Sequence, residues 1–374
     1  MRIGVLTLPL HSNFGGLLQA YALQTILERL GHKVVVFQCD YLPLEKKTLL
    51  RRALTIFRRI VKKILGKDVE IFRERRIKKE IPLIRENTNR FIVENIHTKS
   101  IDLLEQLREC DYDAIVVGSD QIWRPKYFKK MWKSDVLNAF LKFAEGWSVK
   151  RCSYAASFGV DSWEFSERET DGISSLLRMF DAVSVREKSG INLCQRYAGV
   201  SADFVLDPTL LLDRSEYESL FLKKNTAQSK GSLLDYTLDE TLEKKRFIEV
   251  VAKNRGLRPF SVKAKNLNDK VPLVDKIQPT VESWLRGFYD AELVVTDSFH
   301  ACVFSIIFNK PFVVFGNEKR GQTRIESLLK QFGLENRIVQ DCNIESVKDS
   351  LFSPPNVDYS REKEFSMTFL KDLF

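Results

Sequence analysis

The decapeptide TDSFHACVFS, residues 296–305, sets His300 between an apolar run before it (ELVV) and two after it (IIF and PFVVF). The pattern reads as a buried strand through ELVVT, a cap at Asp297 or Ser298, and a helix of two to three turns through FHACVFSIIF. His300 then lies in the first turn of that helix, where aligned peptide dipoles place about half a positive charge. Such a position suits a histidine that gains its proton as an anionic substrate arrives. The plainer alternative is a histidine packed on the sheet with its ring bonded to a carbonyl.

Other residues offer complementary chemistry, each with its own plain alternative. Arg186, in SVREKSG, ends a strand. A guanidinium there can grip a carboxylate or phosphate with two parallel bonds, or pair with Glu187 or another acid. Arg324, in RGQTRIESLL, opens a helix and offers a second anion contact or a solvated face. Asp120, in GSDQIW, can accept a hydroxyl proton or cap a helix. In HSNFGGLLQ, the residues Asn13, Gly15, Gly16 and Gln19 could line a polar pocket or only shape a tight turn. The two glycines permit close backbone approach at a helix N-terminus, although the loop is not GxGxxG.

These residues need a frame that brings them together. IGVLTL, LLQAYALQTILERLG and VVVFQCD read as strand, helix and strand, a βαβ unit that implies a parallel sheet. Further strands fall in DAIVVG, RCSYAAS, FDAVSV and ADFVLDP, each with polar residues at its C-terminal end, where open α/β sheets bind ligands. A second alternation begins near residue 231, with helices expected up to about 255, around 281–288 and from about 299. The expected architecture is two Rossmann-like α/β domains facing across a cleft. The N-terminal domain would span 1–212, with a basic helical insert at about 45–80. A polar linker at 213–230, a C-terminal domain at 231–357 and a final helix at 358–374 complete the division.

Composition narrows the setting. The chain has 374 residues, 44% hydrophobic and 29% charged, as expected of a soluble globular protein. MRIGVLTLPL leads directly into a strand pattern, so no signal peptide is expected. Cys39, Cys110, Cys152, Cys194, Cys302 and Cys342 are scattered without a CxxC pair. That spacing argues against a zinc site and a disulfide framework and for a reduced, cytoplasmic protein. No His, Asp or Glu cluster has a metal-like spacing, so no metal is expected. The net charge of +9 is uneven: residues 45–79 hold fourteen basic and four acidic residues, which leaves the remainder near neutral.

Taken together, NFGGLLQAYALQ, VVGSDQIW, YAASFG, VSVREKSG, DPTLLL, VVTDSFHACVFSIIFNKPFVVF and TRIESLL resemble, in order and spacing, the polysaccharide pyruvyl transferase family. The likeness covers almost the whole chain outside the basic insert. One departure is Ala301, where the family commonly has glycine. The resemblance implies a glycosyltransferase-B-like fold. The implied activity is transfer of pyruvate from phosphoenolpyruvate to two hydroxyls of a sugar in a surface or capsular polysaccharide precursor, giving a cyclic ketal and phosphate. By the same analogy His300 is the acid/base, and no cofactor is needed beyond phosphoenolpyruvate as co-substrate. Arg186, Arg324 and Ser298 bind the donor; Asn13, Gly15, Gly16, Gln19 and Asp120 face the acceptor. Three rivals stand beside this reading: a nucleotide-sugar-dependent glycosyltransferase on the same plan, an enzyme that makes an enol ether from phosphoenolpyruvate without closing the ketal, and a non-catalytic glycan-binding protein.

The insert makes its own suggestion. From Leu49 to Leu65 apolar residues recur at helical spacing, flanked by Arg51, Arg52, Arg58, Arg59, Lys62 and Lys63. A basic amphipathic helix suits an anionic membrane surface, and would place the protein peripherally at the inner membrane face. A sugar on a polyprenyl diphosphate would be a fitting acceptor there. The alternative is that the stripe packs on the N-terminal domain. Nucleic acid is not expected as a partner, because the rest of the chain is near neutral.

Overall fold

The computed structural model describes residues 1–44, 48–316, 321–339 and 349–374. The N-terminal half contains β1 (Arg2–Leu6), α1 (Phe14–Arg29), β2 (Lys33–Gln38), α2 (Leu49–Ile64), α3 (Arg73–Ile84), α4 (Glu86–Asn95), β3 (Thr98–Ser100), β4 (Ala114–Gly118) and α5 (Pro125–Met131). It continues through β5 (Lys150–Tyr154), α6 (Glu167–Leu177), β6 (Ser184–Val185), α7 (Lys188–Ala198), β7 (Asp203–Phe204) and α8 (Arg214–Lys223). The second half contains β8 (Leu233–Tyr236), α9 (Leu242–Arg255), β9 (Pro259–Phe260), α10 (Val281–Asp290), β10 (Leu293–Thr296), α11 (Phe299–Ile307), β11 (Phe312–Phe315), α12 (Gln322–Gln331), β12 (Ile338–Val339) and α13 (Ser360–Leu373).

The first sheet runs β3-β2-β1-β4-β5, the second β12-β11-β10-β8-β9, and β6 pairs with β7. Single bridges from Cys152 to Ala182 and from Ala156 to Val185 attach that pair to the first sheet beside β5. Pairing is parallel throughout, with Ile3 opposite both Val34 and Ala114, and Val294 opposite both Leu234 and Phe312. The central strands AIVVG, LVVT and FVVF are buried at every residue. Helices on both faces produce such runs, in which β-branched side chains pack on each side. Two Rossmann-type domains of this kind make up the glycosyltransferase-B-type fold.

Two segments carry contacts that their sequence pattern does not show. The stretch 213–230, read as a polar linker, contains α8, which opens with an Asp213–Glu216 capping box. Its Tyr217 and Phe221 are fully buried. Most of its other residues are polar, and two buried rings are too sparse to register as periodicity. The final helix α13 returns to the N-terminal domain: the Leu206 amide donates to Ser366 Oγ (3.0 Å), and Lys150 donates to the Leu373 carbonyl (2.8 Å).

The domains are joined by an apolar seam. Phe14 of α1 stacks on Trp284 of α10, with ring centroids 5.5 Å apart, and Trp284 meets Phe304 of α11 edge-on. These rings belong to one continuous buried cluster that includes residues of both sheets. A seam of this character holds the cleft at a set width, where a small polar interface would let the domains move freely. Trp284→Ala should therefore destabilise the protein by about 3–5 kcal/mol. Urea unfolding followed by fluorescence and circular dichroism checks this; a change below about 1 kcal/mol would show that the seam does not join the domains.

Candidate active site

The strand ends of both sheets meet in a cleft of about 980 Å³. On the C-terminal side, β10 leads into α11 through Asp297 and Ser298. The Asp297 carboxylate accepts bonds from the Leu238 and Asp239 amides (2.6 and 3.1 Å) and from Lys244 (2.7 Å). It thereby ties the end of β10 to the loop after β8. Ser298 precedes α11 as its cap residue, half-buried on the cleft wall, and its amide donates to Thr296 Oγ1 (3.0 Å).

His300, in the first turn of α11, is 7% exposed and reaches across to the other domain. It lies against Gly15 so closely that a Cβ there would stand 2.1 Å from Nδ1. Any side chain at residue 15 would displace the imidazole, so glycine is required here by contact rather than by backbone angle. On its other edge, Nε2 stands 3.6 Å from Asp207 Oδ2, close enough for electrostatic attraction but too far for a hydrogen bond. Among the described residues Nε2 is buried without a hydrogen-bond partner. Leaving a buried polar atom unpaired costs about 1–3 kcal/mol.

Asp207 belongs to a chain of buried ions. Thr209 holds its Oδ1 through amide and hydroxyl (3.0 and 2.6 Å), and Arg186 Nη1 donates to its Oδ2 (2.7 Å). Arg186 Nη2 turns to Asp120 Oδ1 (3.4 Å), which Arg324 Nη1 approaches from the cleft side (3.8 Å). Both guanidinium groups lie against the Phe299 ring, at 4.6 and 5.4 Å from its centroid. Burial pushes the Asp207 carboxyl up, but His300, Arg186 and Thr209 together outweigh it and hold the group far below the usual carboxylate range. Asp120 is treated likewise: burial raises it, and Arg186, His300 and Arg324 more than compensate. Arg324 is pushed down to about 10, first by burial and then by Arg186, and stays charged at neutral pH. Asp120 occupies the left-handed region at φ +44°, which costs a non-glycine residue about 1 kcal/mol or more.

The residues singled out in the sequence divide into those that face the cleft and those behind it. His300, Ser298, Arg324, Asp120, Asn13, Gly15 and Gly16 line it. Asn13 leaves the end of α1 uncapped by its side chain and instead donates to Asp120 Oδ2 (3.4 Å). Gln19 is behind the wall, 1% exposed. Its amide donates to Thr7 Oγ1 and the Gly16 carbonyl and accepts from the Ser119 amide and hydroxyl. The acceptor role expected for Gln19 is thus corrected to support of the Ser119–Asp120 loop. Arg186 also lies behind: its side chain is 1% exposed, and its two amino groups are engaged by acids. That geometry makes it the holder of two carboxylates rather than a direct grip on a donor.

Three side chains at the site stand outside the sequence expectations, and a fourth, Glu187, takes a different part from the pairing with Arg186 considered there. Asp207 was hidden by its context, since Asp-Pro-Thr explains itself as a turn. Phe299 looked like core. Glu187 is fully buried, and its Oε1 accepts from Ser157 Oγ and the Phe158 and Gly159 amides, shaping the loop after β5. His11 lines the cleft beside Tyr41, with ring centroids 5.3 Å apart. Burial, then Arg85, pushes its imidazole down to about 3, so it is neutral at working pH.

A family model described as polysaccharide pyruvyl transferase matches residues 13–319. The chain belongs to this family. The matched span begins at Asn13 and takes in Asp120, Arg186, Asp207 and His300, while His11 and Arg324 lie just outside it. A comparison with curated protein sequences returns no match. Among solved structures, a UDP-GlcNAc 2-epimerase from Neisseria meningitidis bound to UDP-GlcNAc is similar at TM-score 0.52 and 9% identity, over 100% of this chain and 99% of that one. The UDP-GlcNAc 2-epimerase from Methanocaldococcus jannaschii is similar at TM-score 0.50 and 11% identity, over 99% of both chains. At such identities the likeness shows the fold alone.

In this transferase the Arg186–Asp207 pair should dominate the acid side of stability. Asp207→Asn leaves Arg186 with only its longer Asp120 contact, and should cost about 3 kcal/mol at neutral pH. Because the folded pKa of Asp207 is depressed, its contribution is full above the unfolded value near 4 and is lost as pH falls below that. Urea unfolding of both proteins from neutral pH to below pH 4 should show the gap shrinking on the acid side. A pH-independent gap would refute the ion-pair account.

Proposed function

We propose that this transferase moves pyruvate from phosphoenolpyruvate onto two hydroxyls of a sugar in a surface or capsular polysaccharide precursor, closing a cyclic ketal and releasing phosphate. The observation that carries the reading is the unpaired, buried Nε2 of His300 at the head of α11, with Arg324 beside it on the cleft wall. A small, highly charged donor is matched by an arginine, a hydroxyl at Ser298 and the positive end of a helix, all on the C-terminal side.

The reaction needs a proton delivered to C3 of the donor, which makes C2 electrophilic. One sugar hydroxyl then attacks C2 and gives up its proton, returning the acid/base to its starting state. The C–O bond to phosphate breaks, and the second hydroxyl closes the ring while its proton leaves with the phosphate. His300 is the proton carrier in this scheme. Asp120, held ionised between Arg186 and Arg324, can accept a bond from a sugar hydroxyl, with Asn13 beside it on the acceptor side. Arg186 acts through Asp120 and Asp207, as a positioning residue. His11, neutral in the cleft, can exchange hydrogen bonds with the acceptor but does not serve as an imidazolium acid.

His300→Gln should retain fold and donor binding while turnover falls at least ~100-fold, the low end for one acid/base group. Phosphate release from phosphoenolpyruvate against a panel of free and lipid-linked glycans reads this. Near-normal turnover would remove His300 from the mechanism. Titration calorimetry supplies the second test: phosphoenolpyruvate should bind and UDP-GlcNAc should not. Arg324→Lys should weaken the donor about tenfold or more with the acceptor constant little changed, because the planar fork is lost. Nucleotide-sugar binding without phosphoenolpyruvate binding would overturn the proposal.

A further inference from the structure

The sequence left two fates open for the stripe of α2, and the structure separates them. Helix α2 has no buried residue. The face turned to the body of the protein is the narrow one carrying Thr55, Ile56 and Arg59, which are only partly exposed. Arg59 anchors it through two bonds to Glu74 (2.6 and 2.8 Å) and one to the Ile71 carbonyl (3.1 Å). The broad apolar arc of Leu50, Leu54, Phe57, Val61 and Ile64 points away, with Phe57 64% and Ile64 78% exposed. Amphipathic helices normally turn such an arc to a core. Here the polar edge faces the protein and the apolar arc faces outward.

We propose that α2 docks this protein on an anionic lipid surface, its apolar arc sunk among the lipids and its basic flanks on the headgroups. Charge decides between occupants. The helix carries six basic residues and no acidic one, and Arg51, Arg52, Arg58, Lys62 and Lys63 are exposed beside the arc. A second copy of α2 would set these positive flanks against each other, whereas phosphate headgroups neutralise them. At 16 residues with six charges the helix lies on a bilayer rather than spanning it. No helix among the described residues is long and apolar enough to cross a membrane.

The helix is also tied to the rim of the cleft. Asp68, just after α2, pairs with Lys270, and Arg73 at the start of α3 donates to Asn268 Oδ1 (2.6 Å). The segment they hold contributes Lys265, Asn266 and Asp269 to the cleft wall. A docked α2 therefore keeps the cleft mouth close to the bilayer, where a sugar carried on a membrane lipid would be met. This last step alone rests on the transferase reading; the docking itself does not.

Co-sedimentation with vesicles tests it. The full chain should bind mixed phosphatidylglycerol–phosphatidylcholine vesicles at low salt, bind phosphatidylcholine vesicles far less, and lose binding as salt rises. Each basic residue removed should weaken binding about fivefold, so R51Q/R52Q/R58Q/K62Q should lose at least ~100-fold. L50S/F57S/I64S should also abolish it, with thermal unfolding and phosphoenolpyruvate calorimetry unchanged in both variants. If the wild type ignores anionic vesicles at low salt, the proposal fails. It fails equally if light scattering shows a dimer that L50S/F57S/I64S dissociates while vesicle binding is absent, since a second copy would then cover the arc.

Discussion

The cleft depends on one contact: the imidazole of His300, from the C-terminal domain, resting on the bare backbone of Gly15 in the N-terminal domain. A methyl group at residue 15 would overlap the ring. The neighbours in sequence make that contact durable. Phe14, one residue before the glycine, stacks on Trp284; Phe299, one residue before the histidine, supports both guanidinium groups. The apolar seam and the polar site are therefore adjacent parts of one junction between two helix N-termini. Close packing across it transmits small displacements directly to the His300 ring.

Around that junction the charges are arranged so that no buried ion stands alone. Asp120 and Asp207 come from the N-terminal sheet, as does Arg186 between them; Arg324 and His300 come from the other domain. Desolvation opposes the charge on Asp120, Asp207, Arg186 and Arg324, and the opposite charges packed around them counter it. The arrangement explains why the arginine that looked most like a donor ligand is placed behind the wall. Two carboxylates kept ionised out of water need a fixed cation between them, and Arg324 is left for the cleft surface. The solved structures that share the fold act on nucleotide sugars by their descriptions, yet the fold itself does not set chemistry; the side chains in the cleft do.

The outward-facing helix α2 belongs to the same logic of placement. Its anchor, Arg59, and the contacts of Asp68 and Arg73 connect it to a segment that forms part of the cleft wall. The outward-facing helix and the cleft wall are thus joined through a few polar contacts along one rim.

The sequence by itself determined the alternating α/β order, the two-domain plan and the family, because strand and helix periods and a run of ordered motifs are local patterns. It also placed His300 in the first turn of a helix after a buried strand, since hydrophobic runs and a cap position are read residue by residue. It could not show that Gly15 faces His300, because they are far apart in the chain and meet only in the folded molecule. Nor could it show that Asp207, which reads as a turn, shares Arg186 with Asp120, or that Gln19 points inward. Pairings among buried charges are settled by which strand ends lie side by side, and strand order is a property of the folded sheet. The direction of the α2 stripe was likewise undecided in the sequence: periodicity fixes that a helix has an apolar face, and only the tertiary structure decides what that face meets.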